Sequence, residues 1–87
     1  MSAEALTLKY IGAMEKTIKD MQRTNGIITL SETCIDEIFG YVMAYLEDAK
    51  YFRDQKKFET SLTSIAYCEG LLDALKLIGA VKITSVP

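Results

Sequence analysis

Glu69 and Asp73 stand four residues apart in a stretch that reads as helix. That spacing puts both carboxylates on one face. Two carboxylates so placed can hold a divalent cation or share a proton. Lys76, three residues beyond Asp73, is an equally ready ion-pair partner, so a solvated edge is the simpler reading. Tyr10, Tyr45 and Tyr67 add phenol hydroxyls, which need hydrogen-bond partners when buried. Asp48 lies one helical turn from Tyr45, and Glu69 lies near Tyr67. Tyr10, Tyr45, Asp48, Tyr67, Glu69 and Asp73 are therefore the candidate ligand-binding residues.

The chain has 87 residues and no histidine. That removes Ser-His-Asp and Cys-His triads, imidazole bases and every His-containing metal site. Phosphate-cradling glycine loops and nucleophile elbows are absent too. No catalytic residue is identified, no metal or cofactor is implied, and the chain is not expected to be an enzyme. Lys9, Lys16 and Arg23 repeat every seven residues, but Glu15 and Asp20 break up the positive field. A net charge of −2 also speaks against nucleic-acid binding and a polybasic membrane anchor. No apolar run reaches the ~18–20 residues a bilayer requires. The N-terminal residues do not read as a secretory signal, and a soluble, cytoplasmic protein is expected.

Three helices must position these groups. The first is expected over about residues 4–24, with Ile11, Met14, Ile18 and Met21 spaced three and four apart on one stripe. Asn25-Gly26 supplies its stop. The second is expected over 31–54. Ser31 is a good N-cap, and Thr29 with Glu32 would form a capping box. Its seam is Ile35, Ile38, Val42, Tyr45, Ala49 and Phe52. The third is expected over 58–78. It carries two apolar stripes: Phe58, Leu62, Ile65 and Leu72 with Cys68 and Leu75 beside them, and then Tyr67, Leu71, Ala74 and Ile78. Residues 80–87 form a short β-prone tail. Short connections make successive helices antiparallel. The expected fold is all-α, an up-down-up antiparallel three-helix bundle in one domain over residues 1–79.

In an antiparallel pair, residue numbers at one level add to a constant. For the second and third helices that constant is near 112, and for the first and second it is near 55. Tyr10, Tyr45 and Tyr67 then share a level. Cys34 and Cys68 fall about ten residues apart along the axis, on the order of 15 Å. A disulfide needs Cα atoms within about 7 Å, so none is expected within the chain. Gly12, Gly40 and Gly70 lie inside helices near the middle level. They suit either tight packing or a small polar pocket.

Tyr45-x-x-Asp48-Ala49-x-Tyr51-Phe52, followed by Ile65-x-Tyr67-x-x-Gly70-x-Leu72-Asp73-Ala74, resembles an archaeal family of small helical proteins. That family is catalogued as a domain of unknown function, family 357. The resemblance covers roughly residues 42–79. It implies an archaeal, intracellular, all-helical protein and supplies no activity. Tyr45, Asp48, Tyr51, Tyr67, Gly70 and Asp73 match its pattern. The family's turn carries a Gly-Asp-like pair before an aromatic. Here Gln55-Lys56-Lys57 precedes Phe58, so the glycine is missing. A left-handed residue at that turn would then cost about 1 kcal/mol.

A helix apolar on two sides needs cover from more than one direction. Two other helices are all this chain offers. The second stripe, Tyr67, Leu71, Ala74 and Ile78, is thus the candidate interface of a homodimer. The expected function is a non-enzymatic protein–protein interaction module that self-associates. The alternative is a small-ligand-binding or enzyme-accessory domain using a tyrosine–carboxylate pocket.

Overall fold

The computed structural model describes residues 2–83. It contains three helices: α1 (Ala3–Asp20), α2 (Glu32–Asp54) and α3 (Phe58–Leu77). The all-α class and the small helical bundle follow the sequence reading.

Each boundary has a local cause. The Ser2 hydroxyl accepts from the Ala5 amide at 3.0 Å and caps α1. Ser31 does the same for α2, accepting from the Cys34 amide at 3.2 Å. The cap is therefore Ser31 alone rather than the Thr29–Glu32 box. α1 ends at Asp20, a turn short of the expected Thr24, and Met21 is already extended. The expected last turn ends in Thr24, a weak helix former. Helix ends of this kind are usually held by tertiary packing, and α1 packs against neither other helix among the described residues. Gly26 does take a left-handed φ of 100°, but in the connecting segment rather than as a helix cap.

α2 and α3 are packed antiparallel as a tight hairpin. α2 stops in a Schellman motif. The Lys57 amide donates to the Phe52 carbonyl and the Lys56 amide to the Arg53 carbonyl. Lys56 takes the left-handed position with φ 58°. The turn thus keeps the left-handed geometry although its glycine is missing. α3 ends the same way, with the Ala80 amide on the Leu75 carbonyl and the Gly79 amide on the Lys76 carbonyl. There Gly79 supplies φ 77° without strain.

The register matches the level arithmetic. The Ser61 hydroxyl donates to the Ala49 carbonyl at 2.7 Å, and the Cys68 thiol to the Val42 carbonyl at 3.5 Å. Tyr45 stacks on Tyr67. Cys68 lies opposite Val42, eight residues along α2 from Cys34, which is about 12 Å of helix.

The α2 seam is the expected one, with Val42 and Ala49 fully buried. The α3 seam differs. It runs through Ser61, Ser64, Cys68, Leu71, Leu72 and Leu75, between the two expected stripes. Leu75 is wholly buried, whereas Phe58 and Leu62 of the expected main stripe are 59% and 68% exposed. Small side chains at 61, 64 and 68 keep the seam narrow, and those of Ser61 and Cys68 hydrogen-bond to the opposite backbone. The bulky residues therefore move to the flanks.

α1 is not seated on this hairpin. A connection over residues 21–31 leads from one to the other without regular structure. At the C-terminus Ala80 and Val81 are half-buried, while residues 84–87 of the expected tail lie outside the described residues.

Two substitutions separate the caps. Lys56→Gly should raise unfolding free energy by about 1 kcal/mol, because it removes a left-handed penalty. Gly79→Ala should lower it by a similar amount, although open space surrounds the added Cβ. Urea denaturation followed by circular dichroism measures both.

Candidate functional site

Of the six candidate ligand residues, the hairpin brings two together. The Tyr45 and Tyr67 rings stack with centroids 5.1 Å apart and planes inclined by 18°. Offset aromatic pairs of this kind contribute about 0.5–1.5 kcal/mol beyond their buried area. Tyr45 is half-buried and Tyr67 is exposed, so the pair forms a flat aromatic step beside the seam.

Tyr10 is not part of this level. It lies on α1, away from the hairpin, with the Lys9 ammonium 5.7 Å from its ring centroid. The shared level needed α1 to fold back at Asn25-Gly26, and α1 ends at Asp20 without packing on the hairpin.

Asp48, Glu69 and Asp73 are all exposed. Glu69 is two residues from Tyr67, and such a pair points to nearly opposite sides of a helix. The Glu69–Asp73 edge therefore lies across α3 from the tyrosine step. Asp73 lines a surface concavity with Lys76 and Leu77. Among the described residues, no group of three or more Asp, Glu or Cys side chains is placed to hold a metal ion. No buried side-chain oxygen or nitrogen there lacks a hydrogen-bond partner either. The mid-helix glycines are also uncrowded, since a Cβ built on Gly12, Gly40 or Gly70 meets nothing within 4 Å. Among the described residues, none of the three is closely packed against another part of the chain.

The candidate interface residues are placed more coherently. Ala74 and Ile78 are exposed and continue the flank that begins at Tyr67. Leu71 is half-buried, at the border between this flank and the seam. Tyr41 and Tyr45 extend the same flank onto α2, and Tyr41 is exposed.

A second apolar flank was missed from sequence. On the side of the seam away from the tyrosine step, Leu46, Ala49, Ser61 and Ile65 line a shallow groove, rimmed by Lys50 and Arg53. Phe39 and Leu62 carry that flank outwards and are exposed. Its signal was in the sequence, because Phe39 and Leu46 widen the α2 stripe.

Comparison with known proteins follows this geometry. The model of a family described as "Protein of unknown function (DUF357)" matches residues 9–81. The chain belongs to that family. No curated protein and no solved structure matches it. The match takes in α1 from Lys9 onward, so the family pattern reaches beyond the hairpin that suggested it.

Stacking can be measured against burial alone by a double-mutant cycle. Tyr45→Ala and Tyr67→Ala should show a coupling of about 0.5–1.5 kcal/mol in chemical denaturation.

Proposed function

We propose that this member of the family is a non-enzymatic interaction module of the cytoplasm that associates with a second copy of itself. The flank formed by Tyr67, Leu71, Ala74 and Ile78 is its contact surface. One observation carries the reading. Val42, Ala49 and Leu75 are the buried hydrophobic side chains of the described residues, while the aromatic and aliphatic side chains on both flanks face outwards. A valine, an alanine and a leucine are little fully buried apolar surface for helices of 23 and 20 residues. A chain so built gains stability by covering its flanks. A two-fold axis past Tyr67 would set each aromatic step against its copy, an isologous contact.

The ligand-binding alternative draws less support. Glu69 and Asp73 stand across α3 from the tyrosines, and Asp48, one turn from Tyr45 on α2, is exposed.

Size-exclusion chromatography with light scattering tests the proposal. The expected mass is about twice the 9.7 kDa chain. Leu71→Asp and Ile78→Asp should each return the protein to monomer. Ile78→Asp is the cleaner probe, because Ile78 is exposed and caps no core contact. A wild-type monomer at high micromolar concentration, or a dimer indifferent to Ile78→Asp, overturns the reading.

A further inference from the structure

The surface area of the chain asks for more than one flank to be covered. A folded protein of 9.7 kDa exposes about 5,100 Å² by the usual scaling. This chain exposes 7822 Å², an excess of about 2,700 Å². Its radius of gyration is 16.0 Å, against about 12 Å for a compact domain of this length. Two copies together would remove about 5,400 Å², in the range of obligate homodimers.

α1 holds much of that surface. Tyr10, Ile11, Met14 and Ile18 form one stripe, and all are more than half exposed. The stripe is a buried-face pattern with nothing against it in its own chain. The hairpin offers a matching surface in the groove of Leu46, Ala49, Ser61 and Ile65, on the side opposite the tyrosine step. At 18 residues α1 spans about 27 Å, close to the length of α3.

We propose that the occupant of this groove is α1 of a second copy of the chain, so that the two protomers exchange their first helices. This rests on the self-association proposed above and deepens it. A single α1 folded back onto its own hairpin covers one flank and leaves the other bare. In the exchanged dimer the Tyr67 flanks face each other across the two-fold axis, and each groove receives the partner copy's α1. The connection suits this arrangement. Residues 21–30 can span about 33 Å when extended, more than a tight helical turn requires. Met21 leaves α1 in extended conformation, and among the described residues α1 makes no contact with its own hairpin.

The experiment is an isotope-filtered nuclear Overhauser measurement. Chain labelled with carbon-13 is mixed with unlabelled chain, unfolded and refolded together. The expected result is contacts between Met14 and Ile18 methyls of one copy and Leu46 and Leu62 methyls of the other. Contacts of these methyls only within one chain overturn the exchange. A dimer with contacts between the Tyr67 flanks and none from α1 to the other copy's hairpin also overturns it, and leaves the self-association standing. A monomer overturns both. Ile18→Asp supplies the second arm, because Ile18 lies far from the Tyr67 flank. It should weaken dimerisation at least tenfold while helical circular dichroism is retained. Dimer affinity unchanged in Ile18→Asp overturns the exchange.

Discussion

The close approach of α2 and α3 governs the rest of the molecule. Ala49, Ser61, Ser64 and Cys68 give the seam little bulk, and two of its side chains bond directly to the opposite backbone. A neutral hydrogen bond of this kind contributes about 0.5–1.5 kcal/mol, so these contacts fix register more than they supply stability. The larger consequence is steric. A narrow seam has no room for Phe39, Phe58, Leu62 or Tyr67, and these side chains stand on the two flanks. The hairpin is therefore well specified internally and apolar externally, on both sides at once.

That division explains which parts of the fold could be read from sequence. Ser31 announced the start of α2 by its type and position, and its hydroxyl caps the helix. The three-residue turn fixed the register closely enough to pair Tyr45 with Tyr67. Such features depend on neighbours in sequence or on a short connection. The α3 seam was not legible in the same way. Hydrophobic periodicity weights large apolar residues, and here the contact is made by serines and a cysteine whose value is their small size. The end of α1 was missed for a related reason. A periodic stripe shows that a face is to be buried, but not against which surface, and the last turn lacked that surface in its own chain.

The candidate site divides along the same line. The aromatic pair could be found because both residues lie on the seam's edge at one level. Glu69 was assigned to it by proximity to Tyr67, and two residues of separation along a helix means opposite faces, whereas Asp48, one turn from Tyr45, is exposed. Tyr10 was assigned by an axial level that only a docked α1 could realise. Tyr67, Leu71, Ala74 and Ile78 could be placed on one side of α3 from their spacing alone.

The connection between α1 and α2 carries a further liability. Ile27, Ile28, Thr29 and Leu30 run without regular structure, and the Ile27 side chain is 98% exposed. Branched side chains on an unpaired backbone are what an edge strand offers to any other extended chain. The nearest charges, Arg23 and Glu32, lie outside the stretch and do not interrupt it. The chain presents this segment to solvent and to other chains alike. Its colloidal behaviour would then be set by four connecting residues rather than by any of the three helices.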